Sequence, residues 1–211
     1  KVGGGVRGDM DGGTVDFVPN VDETLVGPTV LATGFPSVLV GGGSGIAVGM
    51  ATNMPTHNLT ESINGCLALM ENPDMEISEL MHYVKAPDFP TGGIIYGYQG
   101  IKEAYETGRG RIVVRAKAEI ETENDRDKIV VTEIPYNVNK QELIEKIAEL
   151  VETKRIDGIS NINDESDHQG MRIVIEVKKD HNANVLLNKL YKLSDLQSSF
   201  SVNNVCLVDG R

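Results

Sequence analysis

The sequence predicts an α+β protein whose C-terminal half is a two-layer α/β sandwich with the element order β-α-β-β-α-β. Three observations predict it. The apolar period changes from helical to alternating beyond Gly110, two amphipathic helical patterns follow at 140–153 and 183–193, and short apolar runs lie between and after them. Two helices on one face of an antiparallel sheet is the arrangement that buries such a pattern.

Residues 1–13 hold six glycines (Gly3, Gly4, Gly5, Gly8, Gly12 and Gly13), and the entropic cost of ordering glycine predicts an irregular start. From Thr24 to Thr60 the only titratable residue is His57, which is too neutral for a solvated loop and predicts packing against the chain's own core or a partner. Asn58 with Glu61 reads as a capping box opening a helix with Leu59, Ile63, Cys66, Leu67 and Met70 on one side. A short helix is expected over 78–84, stopped by Pro87 and Pro90. Ile94 to Tyr96 reads as a buried strand, and 101–105 as a short helix closed by Gly108. Then Ile112, Val114, Ala116, Ala118 and Ile120 alternate with Arg111, Arg115, Lys117 and Glu119, as in one half-buried strand. Further strands are expected at 128–134, 158–163, 171–178 and 200–208. Asn139 and Glu142 cap the helix at 140–153, whose apolar face is Leu143, Ile144, Ile147, Leu150 and Val151. Domain boundaries are expected near 25 and 108, giving segments 1–25, 26–108 and 109–211.

Composition excludes several functions. No apolar run reaches the roughly 20 residues of a membrane helix, and no targeting signal opens the chain, so a cytoplasmic protein is expected. Cys66 and Cys206 lack metal-ligand spacing and read as buried, reduced thiols. The net charge of −11 argues against a free-standing DNA binder. The loop GGGSGIAVG lacks the Lys-Ser/Thr of a P-loop, so nucleotide binding is not favoured. Asp164, Glu165, Asp167 and His168 could gather a divalent cation, although a solvated turn between strands is the plainer reading. Arg109, Arg111, Arg115 and Lys117 form a basic stripe on one strand face, either simply solvated or in contact with a duplex. Ile46, Ala47, Val48 and Met50 taken alone read as a buried strand edge with glycine bulges. His57 precedes a capped helix and is expected to pack rather than react, and Ser44 has no base beside it.

Six collinear blocks carry a resemblance: GSGIAVGMATNMPTHNLTE (43–61), APDFPTGGIIYG (86–97), YETGRGRIVVRAKAEIE (105–121), VTEIPYNVNKQELIEKIAELV (131–151), DESDHQGMRIVIEVKKD (164–180) and LQSSFSVNNVCLV (196–208). Together they resemble the A subunits of bacterial type IIA DNA topoisomerases, DNA gyrase above all. The resemblance implies that residues 1–25 are the exit from the winged-helix DNA gate and that the rest is the tower region. The family's nucleophilic tyrosine follows an arginine. None of Tyr83, Tyr96, Tyr98, Tyr105, Tyr136 and Tyr191 does, so no catalytic residue is expected here and the tyrosine is expected upstream.

By resemblance, Ile46 is the wedge that unstacks a base step, carried on a DNA-proximal loop of Gly42, Gly43, Ser44 and Gly45. Arg109, Arg111, Arg115 and Lys117 are then candidate phosphate contacts. A stiff β-branched side chain between glycines suits the wedge, because glycine lets the backbone approach a duplex. The chain departs from the family at Gly34, where lysine is common, and at Gly41, where asparagine is; the first removes about one phosphate contact. The resemblance also implies as partners double-stranded DNA and the gyrase B subunit, together with a second A subunit (A2B2), the isolated chain being monomeric. It implies no metal or cofactor in this chain, ATP and Mg2+ being bound by the B subunit. Alternatives are a topoisomerase IV A-type subunit, which decatenates, or a scaffold that contacts only protein.

Overall fold

The computed structural model describes residues 13–208. The glycines of the irregular start up to Gly12 lie outside these residues. A small ribbon, β1 (Phe17–Pro19) with β2 (Val26–Pro28), leads to the one-turn helix α1 (Ser37–Gly41). Next come β3 (Gly43–Ala47), β4 (Met50–Met54), α2 (Leu59–Glu71), α3 (Ile77–Leu80), β5 (Ile94–Ile95) and α4 (Gln99–Thr107). The C-terminal half runs β6 (Arg109–Arg115), β7 (Lys117–Glu123), β8 (Arg126–Glu133), α5 (Lys140–Glu152), β9 (Ile159–Asp164), β10 (Ile173–Val177), α6 (Ala183–Leu193) and β11 (Gln197–Asn203).

The expected sandwich is present with one strand exchanged. Its sheet has the order β7-β8-β10-β9, all antiparallel, with α5 and α6 on one face. Ile129, Val131, Ile173 and Ile175 meet Leu143, Ile147, Leu150, Leu186 and Leu190 there, all essentially excluded from solvent. Asn139 and Asn182 start the two helices, each accepting from the amides two and three residues on, which satisfies donors the helix itself cannot.

The strand expected over 112–120 is two strands in two sheets. At Ala116 the chain crosses over, its amide donating to the Leu196 carbonyl at 2.7 Å and its side chain wholly buried. The second crossing is at 194–197, after which β11 leaves the sandwich and pairs with β6 from Gln197↔Arg115 to Asn203↔Arg109. Alternation alone runs straight through such a crossover, because both strands keep their apolar side inward.

The second sheet has the order β3-β4-β11-β6-β5. Its inner face packs Ile112, Val114, Phe200 and Val202 against Phe89, Ile101 and Ala104. Helix α4 lies backbone to backbone on β6: a Cβ at Gly100 would sit 2.0 Å from the Arg111 carbonyl, and one at Gly110 would sit 2.6 Å from the Gly100 carbonyl. Neither position tolerates a side chain. β5 is a short edge strand, with Ile94 51% exposed rather than buried as expected.

Helix α2 corrects another expectation. It buries Ser62, Gly65 and Ala68, while Leu59, Ile63, Leu67 and Met70 stay exposed. Close approach decides the face: a Cβ at Gly65 would meet the Val84 side chain at 2.9 Å. Cys66 is half-buried and Cys206 exposed, both free, so neither is the buried thiol expected. Among the described residues no helix is long and apolar enough to cross a membrane.

Candidate nucleic-acid interface

The β3–β4 hairpin projects from the sheet. Its turn is Val48-Gly49, with Gly49 at φ +76°, the positive value the second turn position demands of glycine. Every residue of β3 is exposed; Ile46 is 93% accessible and Val48 wholly so. The buried strand edge is therefore not what forms, and the apolar residues of the hairpin do not pack on the chain's own core. The sequence reading also takes Gly42, Gly43, Ser44 and Gly45 for a loop. Gly43 to Ala47 form a strand instead, and only Gly42 stays outside it, with a φ of +61° and a Cβ position that would strike the Met54 carbonyl.

The hairpin joins the sheet by few main-chain bonds and several side-chain ones. β4 meets β11 at the single pair Asn53↔Asn203. Around it, the Asn53 Nδ2 donates to the Ser201 carbonyl at 2.7 Å and the Asn203 Nδ2 to the Ala51 carbonyl at 2.6 Å. The Thr52 hydroxyl donates to the Asn203 carbonyl and accepts from the Val205 amide. Sequence reading missed these residues; the available signal was two asparagines inside strands, where asparagine is disfavoured unless it bonds locally.

Register fixes which side chains share a face. Residues directly opposite in a ladder point the same way, and every second residue follows. The chain of pairs Ile46↔Ala51, Ser44↔Asn53, Asn53↔Asn203, Asn203↔Arg109 and Ser201↔Arg111 puts Ile46, Ser44, Asn53, Ser201, Asn203, Arg109 and Arg111 on one outer face. The Arg109 Nε donates to the Asn203 Oδ1 at 3.2 Å, and Asn203 in turn holds Ala51, the cross-strand partner of Ile46. A cation is thus anchored at the base of the hairpin. Arg111 is exposed on the same face.

The other two cations of the expected stripe are elsewhere or otherwise engaged. Lys117 opens β7 in the sandwich sheet, opposite Glu133, because of the crossover at Ala116. Arg115 shares the outer face, but its guanidinium lies 3.5 Å above the Tyr96 ring centroid and 4.6 Å from that of Tyr191, with its Nε donating to the Gln197 Oε1 at 2.8 Å.

The remaining candidates resolve into structure. His57 is buried. Its Nδ1 bonds the Leu39 carbonyl at 3.1 Å and its Nε2 the Tyr105 hydroxyl at 2.8 Å. A carbonyl only accepts, so Nδ1 carries the proton and the tyrosine donates to Nε2. Burial pushes the His57 imidazole below its ordinary value and the Tyr105 phenol well above its own, so both stay neutral. In the acidic turn, Asp164 accepts from Lys140 at 2.7 Å and caps Ser166, which holds its carboxyl down at about 2. Glu165 pairs with Arg172, and Asp167 accepts from the Gln169 amide. Among the described residues no three His, Cys, Asp or Glu side chains converge as a metal site would require.

An antiparallel sheet bears the projecting apolar hairpin, carries two cations on the same outer face, and is joined by crossover to an α/β sandwich. Residues 2–211 match the family model of the DNA gyrase/topoisomerase IV A subunit, and the chain belongs to that family. It is 58% identical over 204 residues to the DNA gyrase A subunit of Clostridium acetobutylicum, covering 96% of this chain and 25% of that protein. The DNA gyrase A subunit of Neisseria gonorrhoeae is 54% identical over 214 residues, covering 100% of this chain and 23% of the relative. That of Pseudomonas aeruginosa is 57% identical over 206 residues, covering 96% and 22%. The chain spans about a quarter of the length of these relatives.

Proposed function

We propose that this chain is the DNA-bending segment of the breakage-reunion subunit of DNA gyrase, an ATP-dependent type IIA topoisomerase that introduces negative supercoils by passing one duplex through another. The observation that carries the reading is the shared outer face, where Ile46 stands 93% exposed on a projecting hairpin and Arg109 and Arg111 lie on β6 behind it. An apolar wedge unstacks a base step, and cations behind it hold the phosphates of the bent duplex. Bending of this kind costs roughly 1–10 kcal/mol, so it needs both a filler for the opened step and charge to retain the arms. The segment thereby serves cleavage by geometry, bringing scissile phosphates to a nucleophile it does not itself supply.

The charge balance fits this division of labour. A chain of net charge −11 cannot hold DNA by bulk attraction, so its contacts are confined to one face. The partners of this reading are double-stranded DNA, the B subunit of gyrase and a second A subunit, in the cytoplasm. ATP and Mg2+ belong to the B subunit, with no group of this chain assigned to them. Segments 1–25, 26–108 and 109–211 correspond to the gate exit, the tower base with its hairpin, and the portion that holds the sandwich, from which β6 and β11 return to the hairpin's sheet.

The test is Ile46→Ala in the complete subunit, with a duplex carrying fluorescent dyes on either side of the bend. The bent population is expected to collapse while affinity falls only modestly, because phosphate contacts dominate affinity. A normal bend in the variant would reject the wedge.

A further inference from the structure

We propose that Arg115 is a positioning residue, an intramolecular clamp that fixes the β3-to-β6 sheet against the α/β sandwich, rather than a contact to DNA. The inference rests on the DNA-bending reading and adds to it the part of the molecule that keeps the wedge stiff.

The two sheets are joined by two crossing stretches of chain, at 115–117 and 194–197. On the inner side of this joint Tyr136, from the sandwich, stacks on Phe89 at 5.2 Å, and the Glu133 carboxylate accepts from the Gly93 amide at 2.7 Å. The outer side is bridged by Arg115. Tyr96 below its guanidinium follows β5 of one sheet, and Tyr191 beside it belongs to α6 of the sandwich. Gln197, at the first residue of β11, accepts from the Nε. Arg115 and Gln197 are also the end pair of the β6–β11 ladder, so the clamp pins β6, which carries Arg109 and Arg111, to β11, whose Asn203 anchors the hairpin.

A planar guanidinium suits two aromatic faces and a directed hydrogen bond together, whereas a lysine ammonium is a strongly hydrated point charge. A wedge transmits force to a base step only if its own sheet does not yield. Arg111, free of such partners among the described residues and on the same face, is the phosphate contact that Arg115 is not.

The complete subunit tests this with the doubly labelled duplex at several salt concentrations. Arg111→Gln is expected to lower the slope of log affinity against log salt by about 0.9, the value of one lost phosphate contact. Arg115→Gln and Arg115→Lys should both leave that slope unchanged, yet both should broaden the bend distribution and reduce its most bent population. Tyr96→Phe should preserve the wild-type bend and Tyr96→Leu should reproduce the arginine defect. Because Tyr96 is 57% exposed, the leucine variant carries the test if an Arg115 variant does not fold. A slope reduced by Arg115→Gln and kept by Arg115→Lys would mark Arg115 as a phosphate contact and overturn the clamp. A wild-type bend in Arg115→Lys or in Tyr96→Leu would overturn it as well. Ile46→Ala run alongside separates the failures: a bend lost there but intact in the clamp variants rejects the clamp alone, whereas a bend intact there rejects the underlying reading.

Discussion

The β3–β4 hairpin and the α/β sandwich are both rich in aliphatic residues and use them in opposite ways. In the sandwich Ile129, Ile147, Leu150, Ile175 and Leu190 are at most 1% exposed, while in the hairpin Ile46 is 93% and Met50 53% exposed. A buried aliphatic side chain contributes roughly 1.5–3 kcal/mol to folding, and an exposed one contributes almost nothing. Apolarity in the hairpin therefore cannot be explained by the stability of the chain. It is held in solvent by asparagine side chains clasping the strands' backbone, a construction that uses hydrogen bonds to fix position. Apolar character that folding does not use is available to something else.

Substitution should expose the contrast most strongly in the core. Leu150→Ala is expected to cost about 2–5 kcal/mol, lowering the melting temperature by roughly 5–15 °C for a chain of this size. Ile46→Ala should change stability by less than about 0.5 kcal/mol in the same denaturation experiment. Comparable losses at both positions would erase the distinction. A smaller effect sharpens it within the sandwich. Asn139→Ala removes the acceptor for two amides at the start of α5 and should cost about 1 kcal/mol in chemical denaturation, with Asn139→Asp restoring most of it.

The subtlest effect is one of pH. His57, buried neutral beneath α1, has its proton affinity depressed by desolvation. Its unfolded counterpart titrates near 6.5, so the unfolded state gains a proton that the folded state refuses. The contribution of His57 is thus fully present above about pH 6.5 and declines as pH falls through and below that value. The melting temperatures of wild type and His57→Gln should accordingly converge as pH is lowered from about 7.5 to about 5.5. A gap constant across that range would mean that His57 does not titrate on unfolding.

Much of the sandwich was legible in the sequence because its signals are local: capping asparagines, helical spacing of Leu143, Ile147 and Leu150, and alternation along the strands. What alternation could not show was the passage between sheets at Ala116, since both strands keep their buried side inward through the crossing. Helix α2 misled for a different reason. Its large residues outline an apolar face, but the buried face is chosen by how closely Gly65 lets the chain approach Val84, a matter of fit rather than hydropathy. At the candidate interface, the neutral composition around Ile46 announced an unusual segment without giving its form. The grouping of Arg109 and Arg111 with Ile46 depends on Asn203, which lies 152 positions beyond the Ala51 it holds, and no spacing rule reaches that far.

That distance bears on the order of events during synthesis. The sheet beneath the hairpin takes its strands from 43–54, 94–95, 109–115 and 197–203, and β11, the last to leave the ribosome, lies in the middle. Sandwich sheet and helices are contiguous from 117 to 193 and can assemble first, whereas β4 gains its place beside β11 only when residue 203 is available. Contacts of such long sequence separation form slowly, because the intervening chain must close into a loop before any of them is made. Until then the exposed apolar hairpin has an unpaired edge and no anchoring asparagine opposite it, which leaves this stretch open to misassembly.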